Sequence, residues 1–158
     1  MIDDVEHLKR VIRHMDGVRN AAMIIIDKLL DDGDIDLSCR VISEVNKHDI
    51  SKLLSSKEWR YLRDGADINE KFKDALSHHR YANKHHPEYY KDCNMMSHEN
   101  IIEMVCDWYA RSCEKGTDFN KWIDEEVPKR FEFDTHHLYL IHKYAGMLIT
   151  EPFRWIKI

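Results

Sequence analysis

The sequence predicts an all-α protein folded as one compact helical bundle, because of its few turn residues, its composition and its apolar spacing. Only five glycines and three prolines occur in 158 residues, while good helix formers such as Leu, Met, Lys and Glu are frequent. This balance favours long helices over the many turns of a sandwich or barrel. The length suits a single domain over residues 1–158 that can bury its own core.

The N-terminal part of the chain predicts two helices and a turn. Apolar residues recur at helical spacing through residues 5–30, which indicates one long helix, or two in series with Gly17 as the bend. The Asp-rich residues 31–36 predict a turn. Residues 37–47 resume the helical pattern and lead directly into a His-Asp pair.

Capping residues and helix breakers predict the remaining elements. Ser55 is the expected N-cap of a short helix that ends at residues 64–67, and Pro87 stops a helix over residues 68–84. Three further segments are predicted: residues 97–113, closed by Gly116; residues 118–127, a short helix or turn; and residues 135–149, ending at Pro152. The architecture is a bundle of five to seven helices.

Charge and cysteine content restrict the function. The chain has 24 Lys and Arg against 29 Asp and Glu, mixed along its length, so we expect no binding to duplex nucleic acid. The longest apolar stretch, around residues 21–26, is too short to cross a membrane or to serve as a signal segment. The four cysteines form no C-x-x-C pair, so we expect reduced thiols and a cytoplasmic location. A homodimer is left open.

Histidine is the unusual residue, with eleven in the chain, and imidazole is the commonest metal ligand. His48 and Asp49 place a neutral imidazole beside a hard carboxylate, a pair that can bind one borderline metal. Taken alone, such a dipeptide is more often a solvated helix end.

A second histidine-rich segment covers residues 78–86. On a helix, His79, Asn83 and His86 share one face, and His78 and His85 share a neighbouring face. A bound cation or a buried neutral network would remove the repulsion between them; the alternative is a solvated loop. We expect this segment to face the same cavity as the His-Asp pair.

A third segment, residues 101–110, is apolar or aromatic except for Glu103 and Asp107. A helix that is apolar all round is a buried helix. Its two carboxylates would therefore need a cation, either a metal, Lys52 or an arginine. The alternative is an amphipathic helix with both acids at its wet edge.

The other histidines have simpler interpretations. His7 lies one heptad before His14 and faces the same way, so either could be the first ligand, although a position near the N-terminus favours a solvated His7. Surface or satisfied core positions are expected for the rest: His98, His136, His137 and His142.

Together these segments resemble the HD superfamily of metal-dependent phosphohydrolases. The pattern of that superfamily is a His on an early helix, a central His-Asp pair and a later Asp, and His14, His48, Asp49 and Asp107 match it in order. Residues 48–52, followed by a His-His doublet, are also similar to the HD-GYP variant, which has a second metal site. The Gly-Tyr-Pro element is absent, so cyclic-dinucleotide hydrolysis is not implied.

A closer resemblance, over roughly residues 5–125, is to a family of small HD-like proteins from phages and bacteria that has no settled activity. The similar segments are residues 11–14, 48–52, 58–59, 78–86 and 103–108, with Met96. The chain departs from that family by a longer stretch around residues 31–37.

The HD resemblance implies a phosphohydrolase acting on a small-molecule phosphoester, with a nucleotide as the expected substrate. The expected cofactor is one or two divalent transition-metal ions (Mn, Fe, Co, Ni or Zn). Its candidate ligands are His14, His48, Asp49, His85, His86 and Asp107. The candidate catalytic residues are Lys52, which would neutralise phosphate charge, His79, which would act as general acid or complete a second metal site, and Glu103.

Two other classes of function fit the same residues. One is a non-catalytic metal-binding or interaction module, such as a phage accessory protein, and the other is a di-iron oxygenase on an HD-type scaffold. A catalytic site would keep an open coordination position facing a cleft, whereas a structural site is closed by protein ligands.

Overall fold

The computed structural model describes residues 2–63 and 66–150, and these ranges form a helical bundle without β-strands. The all-α prediction is confirmed. The α-helices are α1 (Asp4–Asp31), α2 (Ile35–Val45), α3 (Ser51–Leu54), α4 (Ser56–Tyr61), α5 (Glu70–Ala82), α6 (His98–Lys115), α7 (Phe119–Lys121), α8 (Val127–Arg130) and α9 (Thr135–Ile149). A π-helical turn, Trp122–Glu126, joins α7 to α8, and two 3₁₀ turns, Pro87–Tyr89 and Cys93–Met95, lie between α5 and α6.

Short polar side chains cap several of the helices, although Ser97, at the start of α6, forms no capping hydrogen bond with its side chain. Ser55 accepts a hydrogen bond from the amide of Glu58 at the start of α4, and Asn69 caps α5 in the same way. Gly116 ends α6 in the left-handed conformation, with φ of 64°, which a side chain would disfavour. Predicted features at residues 64, 65 and 152 lie outside the described residues.

Two boundaries differ from the prediction in ways that affect the site. Residues 5–30 form one unbroken helix, with Gly17 buried inside it rather than at a bend. Helix α5 ends at Ala82, two residues earlier than predicted, because Asn83 is already extended (φ −117°, ψ 121°). His85 and His86 therefore lie in the turn after the helix, where both can bend back towards it.

The core lies between four long helices: α6 packs on α1, α2 and α9, and α1 packs on α2 and α9. Its side chains include Val18, Ile25, Val41, Ile101, Ile102, Val105, Ile141 and Leu148, all fully buried. Along the described ranges, no helix has both the length and the apolar character needed to cross a membrane. The aliphatic core fixes α1 against α6, and both helices carry polar side chains into the site.

Candidate metal centre

Asp49 lies at the centre of the site, in the turn between α2 and α3. Its carboxylate is buried, and its φ of 55° makes it the one non-glycine residue with a positive φ in the described part of the chain. This left-handed conformation is uncommon and strained, although Asp tolerates it better than most residues. It allows His48 and Asp49 to direct their side chains into one cavity.

One oxygen of Asp49 faces a first set of donors. Asp49 Oδ2 lies 3.6 Å from Nε2 of His14 and 3.7 Å from Nε2 of His48. Asp107 completes this set, with Oδ1 at 3.0 Å from His14 Nε2 and 3.8 Å from His48 Nε2. Helices α1 and α6 and the turn after α2 thus each contribute to the first set.

The other oxygen of Asp49 faces a second set. Asp49 Oδ1 lies 3.2 Å from Nε2 of His79 and 3.6 Å from Nε2 of His85, and Nε2 of His86 lies 3.0 Å from that of His79. One donor atom from each of these four residues falls within 4.8 Å of the others. The prediction that the histidine doublets face the cavity of the His-Asp pair is confirmed for these three imidazoles. His78 is exposed and lies outside both donor sets, with its Nδ1 2.7 Å from Oε1 of Glu58.

Buried carboxylates hold the opposite ring nitrogens of the histidines. Glu103 Oε1 lies 2.9 Å from Nδ1 of both His48 and His85. This arrangement fixes the tautomer that leaves Nε2 free for a metal, the usual function of a carboxylate behind a histidine ligand. Glu103, predicted as a catalytic residue, lies behind the imidazoles and is not among the residues that line the cleft.

Glu114 and Glu58 support His14 of α1 and His79 of α5 in the same way. Glu114 Oε1 lies 2.8 Å from His14 Nδ1, and Glu58 Oε2 lies 2.9 Å from His79 Nδ1. Glu58 is fully buried and also accepts a hydrogen bond from Ser51 Oγ at 2.7 Å.

Sequence reasoning did not assign a function to either glutamate. A signal for Glu114 exists, because it follows Asp107 by seven residues and so shares its face of α6.

The donor atoms fit a metal ion. Asp49 Oδ1, His85 Nε2 and Asp107 Oδ1 are buried atoms with no hydrogen-bond partner, although each lies within 3.8 Å of another donor atom of the site. Buried polar atoms without partners are rare in native proteins and each needs an explanation. Imidazole and carboxylate donors at this spacing are the ligands of divalent transition metals. These clusters of buried His and Asp could hold such an ion.

The charges of the site are consistent with metal binding. Burial by itself would raise the pKa of Asp49, but Lys52 and the nearby imidazoles lower it well below its usual range. Burial would likewise raise the pKa of Asp107, but the His14 imidazole, 3.0 Å from its Oδ1, holds that pKa well below its usual range. Burial lowers the pKa of His86 to about 2, so this imidazole is neutral and has a lone pair to offer.

A cleft of about 1190 Å³ opens over both donor sets. Asp49, His79, His86 and Asp107 reach it, and Lys52, whose ammonium pairs with Asp49, lines it as well. The lining has seven Lys and Arg against five Asp and Glu, whereas the whole chain has an excess of acidic residues. The cleft lining therefore carries an excess of positive formal charge next to the donor sets.

The structure brings all nine candidate site residues together, which helical spacing alone did not require. His14, rather than His7, belongs to the donor sets. The expectation of a solvated His7 was wrong, because its ring packs against Trp59 at 4.6 Å between centroids and is only 4 % exposed.

Comparison with known proteins identifies a family but no function. Residues 3–151 match the model of a family of unknown function, DUF5662. No curated protein matches the chain, and no solved structure does so either. Because the match covers nearly the whole sequence, the chain belongs to the family DUF5662.

Proposed function

We propose that this protein is a metal-dependent phosphohydrolase of the HD type, with two divalent ions that share Asp49 as a bridging ligand. The observation that carries the proposal is the placement of the two oxygens of Asp49, each within 3.7 Å of a different set of imidazoles. The resemblance to HD proteins in the order His14, His48, Asp49, Asp107 supports the same assignment.

The proposed donors favour Mn, Fe, Co, Ni or Zn over Mg, because imidazole-rich sites prefer transition metals. His14, His48, Asp49 and Asp107 would hold one ion, and Asp49, His79, His85 and His86 the other. When bound, such ions lower the pKa of a coordinated water and polarise a phosphoryl oxygen.

The openness of the site favours catalysis over a purely structural function. Asp49, His79, His86 and Asp107 border the cleft, so a substrate could approach both donor sets from the same side. A structural metal site is normally closed by its protein ligands. A binding module is therefore the weaker alternative.

We assign substrate binding to two cations of the chain. Lys52 lines the cleft beside Asp49, and Arg111 Nε lies 3.9 Å from Asp107 Oδ1. Each would neutralise phosphate charge at the metal donors. His79 is a metal ligand in this proposal rather than a general acid, because its Nδ1 bonds Glu58 and its Nε2 faces Asp49.

We assign the protein to the cytoplasm, and the proposed substrate is a small phosphoester such as a nucleotide. The free thiol of Cys39 is exposed, which suits a reducing compartment.

The test is hydrolysis by protein that has been stripped of metal and reloaded with Mn²⁺, Co²⁺ or Fe²⁺. Nitrophenyl phosphate and nucleoside mono-, di- and triphosphates serve as substrates, and Asp49→Asn serves as the inactive control. We expect turnover with at least one ion in the parent protein and none in the variant. No turnover with any ion would refute the proposal; oxygen uptake with Fe²⁺ would then indicate an oxygenase, and tight metal binding alone a binding module.

A further inference from the structure

One face of α6 leads away from the metal donors along the cleft. Asp107, Arg111 and Lys115 follow one another at intervals of four residues, and all three line the cleft. At a rise of about 1.5 Å per residue, Lys115 lies about 12 Å further along the helix axis than Asp107. Lys121 lies on α7, which packs against α6, and it lines the cleft as well.

The carboxylates at this far end are already engaged. Asp118 caps α7 by accepting a hydrogen bond from the amide of Lys121 at 3.1 Å. Glu126 pairs with Lys129 at 3.0 Å and with Arg130 at 3.7 Å. Their charges are therefore partly satisfied without the cleft lysines.

Lys115 and Lys121, unlike these carboxylates, have no close partner of opposite charge among the described residues. Neither forms an ion pair within 4 Å with a carboxylate of residues 2–63 or 66–150, and Lys121 acts on Glu126 only at longer range. Both lysines are exposed and line the cleft, so their positive charges are available to a ligand.

The backbone at this end of the cleft is also unusual. The π-helical turn Trp122–Glu126 follows Lys121 directly. Such turns are rare in proteins, and those that occur are often found at functional sites. It places the Trp122 ring on the cleft, with the Arg130 guanidinium 4.7 Å from the ring centroid. An irregular element that borders the cleft beside unpaired lysines points to a ligand at that end.

We propose that Lys115 and Lys121 form a second anion subsite that binds a further phosphate group of the substrate, with Arg111 between this subsite and the metal donors. The proposal rests on the proposed phosphohydrolase function and makes it more specific. The substrate is then a phosphoester with at least two phosphate groups, one over the metal donors and one roughly 6–12 Å away along α6, as the helix rise requires.

Direct binding tests the subsite without depending on activity. The probe is inorganic tripolyphosphate, titrated by calorimetry into metal-free full-length protein, in which Asp49 and Asp107 repel anions from the metal end. We expect Lys115→Ala and Lys121→Ala each to weaken binding about threefold and the double variant about tenfold, as is usual for exposed charge pairs. Lys9→Ala, an exposed lysine of α1 outside the cleft, is the control and should bind like the parent. Equal affinity in the parent and the double variant, or no binding by the parent, would overturn the subsite.

Kinetics separate this proposal from the proposed function. In metal-loaded protein, we expect the double variant to raise KM for a nucleoside triphosphate but not for nitrophenyl phosphate, which has one phosphate group. An equal change for both substrates would contradict the subsite while leaving the hydrolase intact. Absence of all turnover with weakened tripolyphosphate binding would refute the hydrolase and keep the subsite.

Discussion

Replacing Asp49 by asparagine should weaken metal binding at both donor sets at once. The substitution keeps the size of the side chain and suits the left-handed backbone, since Asn also tolerates a positive φ. It removes the charge that both sets share and replaces one of the four proposed ligands in each. Because loss of an outer-shell partner alone costs about 10–100-fold in metal affinity, we expect a loss of at least about 100-fold here.

The size of the effect on stability follows from linkage. Metal at 100 times its Kd stabilises the folded state by about 2.7 kcal/mol per site. In a chain of this length, each kcal/mol shifts Tm by about 2–4 °C, so one occupied site raises Tm by about 5–10 °C. We expect this shift on addition of Mn²⁺ to the parent protein and little shift in Asp49→Asn.

The assay combines metal analysis, thermal unfolding and far-UV circular dichroism. Asp27→Asn is the matched control, because Asp27 is exposed on α1, away from the donor sets. We expect the helical content of both variants to stay near that of the parent, since the core consists of apolar aliphatic and aromatic side chains. Full metal content and an unchanged Mn²⁺-induced shift in Asp49→Asn would refute the bridging assignment.

Three further predictions concern the outer carboxylates, pH and the core. Glu103→Gln should lower the metal affinity of both sites, and Glu58→Gln that of the second site only, each by about 10–100-fold. The affinities are measured by Mn²⁺ titration, and the same pattern of loss in both variants would contradict the assignment. Burial opposes protonation of His14 and His85, but their carboxylate partners raise both pKa values above 6.5. Since a proton competes with the metal for each imidazole, affinity should be lower at about pH 6 than at about pH 8 with protons released on binding, and a pH-independent Kd would speak against these ligands. Ile102→Ala, at a fully buried position, should lower the free energy of unfolding by about 2–5 kcal/mol. An unchanged urea midpoint would show that the core around Ile102 is not tightly packed.

Local rules predicted much of the fold. Apolar spacing and capping residues located the long helices to within a few residues, because both act between neighbours in the chain. The end of α5 was less predictable, since Asn83 leaves the helical conformation to place its amide on Ser51, 32 residues away. That contact exists only in the folded protein.

The histidines and most of the acids of the site could be selected from the sequence by residue type. The HD resemblance assigned four of them, His14, His48, Asp49 and Asp107, to one pattern. Their grouping could not be derived in this way. His7 and His14 have equivalent positions one heptad apart, yet only His14 meets Asp107, because α1 crosses α6 near that residue.

The sequence by itself therefore determined the helical class, most of the helix ends and the supply of side chains that could bind a metal. Only the tertiary structure decided that Asp49 serves two donor sets and that Glu103 supports one imidazole from each. Likewise, Glu114 reaches His14 across 100 residues of chain. The physical reason is that helical periodicity defines which face a residue occupies, whereas the packing of one aliphatic face on another defines which polar residues meet at its edge.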